Sequence, residues 1–240
     1  PFDPKTTKPG GTNQVLTASL SSIAYEDSRF DYDTSTPFGP LHDHVKSLGF
    51  TAQSVTDGVT RIAGPEVGGA NLLPGGARVV LASRPGVTAL AFRGTTVNYD
   101  LMKDAKFSLT DASARYGGGR VHQGFDESLD SIWPEVSAGI KAARARNPNE
   151  PIVFTGHSLG GALAVLALAR AKHEGLLDQP PYRGKGSVAV LDTYGQPRVG
   201  DAAFAKSFQQ SVGDIPYHRY VYRNDPVPRL PPTGMRYADL

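Results

Sequence analysis

The chain has 240 residues, with 25 Lys and Arg against 23 Asp and Glu and a formal net charge of +2. Cysteine is absent, which excludes a disulfide scaffold, a Cys-ligated zinc site, an iron–sulfur cluster and a cysteine nucleophile. The charges are spread evenly over both halves without a long like-charged run, which argues against a nucleic-acid partner. The most apolar stretch, Ala162 to Ala169, is bounded by Gly161 and Arg170. It falls well short of the about 20 apolar residues of a membrane span, so no transmembrane segment is predicted. The opening Pro1-Phe2-Asp3-Pro4 lacks both Met and an apolar core and does not read as a signal peptide.

Residues 1–13 read as an irregular opening segment. Over Gln14–Asp27, Val15, Leu16, Leu20, Ile23 and Ala24 recur at helical spacing. Pro40 opens a second short helix that Gly49 closes. Residues 57–83 read as strand pieces, with a Pro74-Gly75-Gly76 turn before Arg78–Ser83. Val87–Phe92 is a continuous apolar strand. Phe125–Arg146 is an amphipathic helix that Pro134 is expected to kink or restart. Ile152–Thr155 is a buried strand, and Gly160–Glu174 a helix apolar nearly all round, stopped by Gly175. Val188–Tyr194 is a strand, Ala202–Gln210 a helix and Tyr217–Tyr222 a strand. Strands apolar on both faces that alternate with helices predict a mostly parallel sheet covered on both sides. No linker divides the sequence, so residues 1–240 are expected to form one α/β domain.

The sharpest chemical signal is Gly156-His157-Ser158-Leu159-Gly160-Gly161. Gly-x-Ser-x-Gly alone is weak, but here it directly follows a strand and directly opens a helix, the setting of a nucleophile elbow. Glycines two before and two after the serine let the two backbones pass closely. The helix also aims its positive end at any oxyanion formed there. Serine needs a base, an orienting acid and two oxyanion donors. The Leu159 N–H is one donor. Thr95, in Phe92-Arg93-Gly94-Thr95, fits the second. Among Asp192, Asp201, Asp214 and Asp225, the first lies mid-strand and the second reads as a helix cap. Asp225 lies just beyond a strand, where catalytic groups of such sheets gather, and is the candidate acid.

Five motifs occur in order: Phe92-Arg93-Gly94-Thr95, Val121-His122-Gln123-Gly124-Phe125, Gly156 to Ala162, Tyr194-Gly195-Gln196-Pro197-Arg198-Val199-Gly200-Asp201, and Asn224-Asp225-Pro226-Val227-Pro228-Arg229-Leu230-Pro231-Pro232. Together they resemble the class 3 lipase family, the fungal-type triacylglycerol lipases of the α/β-hydrolase fold. The resemblance runs from about Val87 to Pro232. It implies that Ser158 is the nucleophile and Asp225 the triad acid, with Thr95 and Leu159 forming the oxyanion hole. It further implies that Thr96–Leu109 is a mobile lid carrying Leu101, that Val227 and Leu230 line the acyl groove, and that Asp104 and Asp201 are structural.

One departure concerns the base. The family's catalytic histidine follows the acid, whereas the six histidines here, His42, His44, His122, His157, His173 and His218, all precede Asp225. Each reads as structural, with the His157 side chain expected to point away from Ser158 Oγ. Residues Met235–Asp239 read like the opening of another strand. The triad histidine is therefore expected in a C-terminal segment outside these residues.

The expectation is a serine carboxylester hydrolase cleaving lipid esters, acting at a lipid–water interface and, by the resemblance, secreted. No metal or organic cofactor is implied. The alternatives are a phospholipase, of which a bacterial effector is one form, a feruloyl-type esterase, or a non-catalytic lipid-binding relative or inactive fragment.

Overall fold

The computed structural model describes residues 12–25, 48, 50–58, 77–94, 107–177 and 189–240. All of the predicted helix over 40–49 except residue 48, the turn at 74–76 and most of the proposed lid lie outside these. Elements in chain order are α1 (Thr12–Ile23), β1 (Thr51–Gly58), β2 (Ala77–Arg84), β3 (Val87–Phe92), β4 (Leu109–Asp111), α2 (Ser113–Tyr116) and β5 (Arg120–His122). They continue with α3 (Gln123–Arg146), β6 (Ile152–His157), α4 (Leu159–His173), β7 (Ala189–Tyr194), α5 (Ala202–Val212) and β8 (Tyr217–Tyr220).

Among the described residues, six strands form one sheet in the order β1-β2-β3-β6-β7-β8. The first three are antiparallel neighbours, while β3, β6, β7 and β8 run parallel. The short pair β4 and β5 stands apart as an antiparallel ribbon.

Two-residue alternation divides the core. Val79, Leu81, Leu90, Phe92, Ile152, Phe154 and Leu191 face the side packed by α3, α4 and α5, in a cluster with Ile132, Leu163, Leu166 and Phe204. Their neighbours Val80, Ala82, Ala89, Ala91, Val153 and Val190 face the other side, under Leu16, Leu20 and Ile23 of α1. Both faces are therefore covered, which explains why these strands read as unbroken apolar runs. Helix α4 is buried all round from Leu159 to Ala169, as a helix with no polar face must be. Truncating a buried leucine there to alanine costs about 2–5 kcal/mol.

Pro134 does not restart the helix: α3 runs without interruption from Gln123 to Arg146. A proline forfeits one internal hydrogen bond, and the flanking Ile132, Trp133, Val136 and Ile140 are all buried against the sheet side of the core, which outweighs that loss. Tyr217–Tyr222 ends as a strand at Tyr220. The predicted strand at 235–239 is reduced to a single bridge between Asp201 and Tyr237.

Candidate active site

Register brings the strand ends to one edge of the sheet. Phe92 pairs with Gly156, His157 with Tyr194, and Tyr194 with Tyr220. The residues that leave β3, β6, β7 and β8 at their carboxyl ends, namely Arg93-Gly94, Ser158, Gly195 and the turn to Asp225, therefore emerge side by side. Such an edge is where sheets of this kind hold ligands and catalytic groups.

Ser158 joins β6 to α4 with φ 55 and ψ −127, an uncommon conformation for a residue with a side chain. Its N–H donates to the Tyr194 carbonyl at 2.7 Å, and its own carbonyl accepts from Gly161 at 2.9 Å. The turn is possible only with glycine on either side. A Cβ on Gly156 would lie 2.3 Å from the Gly160 backbone, and one on Gly160 would lie 2.1 Å from the Phe92 carbonyl oxygen. Leu159 opens α4 with its side chain buried. Its N–H belongs to the first helical turn, where backbone donors have no partner inside the helix.

Each of the four candidate acids has a distinct setting. Asp192 is consumed by a buried network, with Oδ1 2.8 Å from His218 Nδ1 and Oδ2 accepting from the Thr17 hydroxyl at 2.9 Å. Asp201 caps α5 by accepting from the Phe204 N–H at 2.8 Å. Asp214 is exposed in the turn after α5. Asp225 alone sits at the edge that holds Ser158, half-buried. Its Oδ1 accepts from the Val227 N–H at 3.0 Å, and its own N–H donates to Tyr222. Val227 and Leu230 are half-buried on the short 3-10 turn that follows. Thr95, Leu101 and Asp104 lie outside the described residues.

The histidines fall into different environments. His122 is buried and caps α3, Nδ1 accepting from the Phe125 N–H at 3.3 Å, and burial pushes its imidazole down to about 4. His173 is exposed at the end of α4. His157 is held by Tyr25, whose hydroxyl is 2.9 Å from Nδ1. Burial lowers the pKa of His157, and the negative charge of Asp225 opposes that shift. His42 and His44 lie outside the described residues.

Three residues at this edge were assigned no role from the sequence. Tyr25 and Arg219 belong to no motif, and Arg198 lies in the fourth motif without a role of its own. The guanidinium groups of Arg198 and Arg219 donate to the carbonyls of Pro231 and Pro228, at 2.9 and 2.7 Å, on the segment that follows Asp225. Among the described residues no group of three His, Asp or Glu is arranged to hold a metal ion, and no helix is long and apolar enough to cross a membrane.

A family model described as Lipase (class 3) matches residues 89–235, more than half of the chain. The chain belongs to the class 3 lipases. A class 3 lipase relative, the secreted mono- and diacylglycerol lipase 1 of Fusarium solani, is 39% identical over 117 residues, 49% of this chain and 31% of that protein. The lipase of Rhizomucor miehei is 35% identical over 150 residues, 62% of this chain and 38% of its own. The chain thus spans less than half the length of these curated relatives. The solved Rhizomucor miehei triacylglyceride lipase superimposes with a TM-score of 0.72 at 24% identity, over 95% of this chain and 78% of that one. The Rhizopus niveus lipase II structure does so with a TM-score of 0.69 at 22% identity, over the same shares. These likenesses establish the α/β-hydrolase fold.

Proposed function

We propose that this class 3 lipase chain carries the nucleophile and acid of a serine carboxylester hydrolase that cleaves lipid esters, a triacylglycerol lipase. The observation that carries the reading is the backbone of Ser158, at φ 55 and ψ −127 between β6 and α4. Such a conformation costs about 1–3 kcal/mol and persists only where the surroundings enforce it. A serine lifted above the sheet at a helix N-terminus is what acyl transfer requires.

In the proposed mechanism Ser158 Oγ attacks the ester carbonyl carbon as a histidine takes its proton. Asp225 orients that histidine and stabilises the imidazolium. The oxyanion is met by the N–H groups of Leu159 and Thr95, each such donor being worth about 3–4 kcal/mol. The intermediate collapses, and the alcohol leaves with the proton held by the histidine. Water then repeats the sequence on the acyl-enzyme and releases the fatty acid. No histidine follows Asp225 in the sequence, so the base is assigned to a segment beyond these residues.

Val227 and Leu230, with Leu101, are the proposed contacts of an apolar acyl chain, and the substrate is met at a lipid–water interface. Secretion is proposed because relatives such as the mono- and diacylglycerol lipases of Fusarium solani and Penicillium cyclopium are secreted lipases by name. Residues 1–240 are taken as part of a single hydrolase domain.

The test pairs the full-length protein with its Ser158→Ala variant. Release of fatty acid from tributyrin and labelling of Ser158 by a serine-directed phosphonate are expected in the first and absent in the second. Hydrolysis of phosphatidylcholine without tributyrin would reassign the enzyme as a phospholipase. Lipid binding without labelling would mark a non-catalytic relative.

A further inference from the structure

Tyr25 lies just past α1, upstream of the segment matched by the lipase family. Its hydroxyl is 2.9 Å from His157 Nδ1 and 3.2 Å from the His157 carbonyl oxygen. It also lies against Gly94, while burial pushes the phenol up to about 12. One oxygen atom thus touches the residue before Ser158 and the residue before Thr95. The closeness of the three groups is apparent at Gly94, where a Cβ would lie 2.1 Å from the Tyr25 oxygen and 2.5 Å from the His157 carbonyl oxygen. The rings of Tyr25 and His157 meet at 5.8 Å, tilted by 59°. The far side of the His157 ring faces Gly195, beside Asp225: Nε2 and Asp225 Oδ2 lie 3.6 and 2.9 Å from the same Cβ position.

We propose that Tyr25 is a positioning residue of the candidate site, its hydroxyl joining the turn that carries Ser158 to the strand end that leads into Thr95. This rests on the hydrolase reading above. Leu159 and Thr95 supply the two oxyanion donors in that reading, and the strand pairing that joins their segments ends at Phe92 and Gly156, one residue short of Arg93 and His157. A pair of donors stabilises an oxyanion only when both point at the place where the charge develops. Tyr25 acts through the two backbone segments that its hydroxyl meets. It holds Gly94 against the His157 turn, and through the His157 ring it braces the wall beside Asp225.

The experiment compares full-length wild type with Tyr25→Phe, which removes one oxygen and keeps the ring, and with Ser158→Ala. In Tyr25→Phe, kcat on tributyrin is expected to fall about 10- to 100-fold with KM within about twofold, as expected for misplaced catalytic groups. Phosphonate labelling should slow in parallel. The ring 15N resonances of His157 should shift as Nδ1 loses its partner. An unchanged kcat with unchanged His157 resonances overturns the proposal, and so does a fall in kcat matched by an equal rise in KM. If Tyr25→Phe does not fold, the wild-type spectrum decides alone, because a His157 ring exchanging freely between tautomers would overturn the contact. Failure of the hydrolase reading looks different: wild type and Ser158→Ala would then behave alike toward ester and phosphonate.

Discussion

Gly195 and Asp225 stand so close that a Cβ on Gly195 would lie 2.9 Å from Asp225 Oδ2. Gly195 has φ 59, and its N–H donates to the Tyr220 carbonyl at 2.8 Å, which pins the β7 end against the β8 end. Gly195→Ala therefore both strains the backbone and pushes the carboxylate aside. The left-handed conformation should cost about 1–2 kcal/mol, read as a lowered Tm. Ester turnover should fall by more than that loss of folded protein explains. A variant as active and as stable as wild type would refute the close approach.

Ser158 allows strain and chemistry to be separated. Ser158→Ala should lose about 10⁶ in kcat, the scale seen when a triad serine is removed. Ser158→Gly should be equally inactive yet more stable. The backbone at φ 55 and ψ −127 costs about 1–3 kcal/mol with a side chain present, whereas the extra chain entropy of glycine costs only about 0.4–1 kcal/mol. A net gain of about 1 kcal/mol over Ser158→Ala in denaturant titration is the expected outcome, and a loss would show that the turn is unstrained.

His122 makes stability depend on pH. Burial holds its imidazole at about 4 in the folded chain against 6.5 for the ordinary group. Between those values the unfolded chain binds the extra proton, so stability is full above 6.5 and falls as the pH drops toward about 4. The loss amounts to about 3 kcal/mol. His122→Asn keeps a capping acceptor for the Phe125 N–H and should remove this part of the pH dependence. Identical urea midpoints for the two proteins relative to their own pH 7 values would contradict the assignment.

Arg198 secures the Asp225 segment through carbonyls more than through charge. Its guanidinium bonds the carbonyl oxygens of Arg229 and Pro231 and both oxygens of Asp239, at 2.9 and 3.2 Å for the carboxylate. Asp239 is 57% exposed, so water screens that pair and Asp239→Asn should cost less than about 1 kcal/mol. Arg198→Lys cannot reproduce the planar fork and should cost about 1–3 kcal/mol, with a further loss of turnover. Equal thermal shifts in the two variants would argue against the clamp.

Much of this site was legible because its determinants are local. Gly156-His157-Ser158-Leu159-Gly160 announces a strand–turn–helix junction, and although Gly160 itself is required by the distant Phe92 carbonyl, Gly156 is required by the Gly160 backbone only four residues on. Asp201 was readable as a cap for the same reason. The uninterrupted α3 was not legible, since Pro134 is opposed by buried neighbours whose partners lie far away in the chain. Asp192 could be set aside as lying mid-strand, but its pairing with His218 and Thr17 joins three distant segments and left no local trace.

The sequence by itself determined the candidates and the layering: a serine between a strand and a helix, an aspartate beyond a strand, apolar runs that demand cover on both faces. These follow from side-chain type and from periodicities of two and 3.6 residues, which the chain carries wherever it folds. Only the tertiary structure decided which groups meet. Strand register brings Gly94, Ser158, Gly195 and Asp225 to one edge, and a tyrosine just past the first described helix lies against His157 and Gly94 there. Contacts between residues more than a hundred positions apart are set by the packing of whole elements, and no local pattern encodes them.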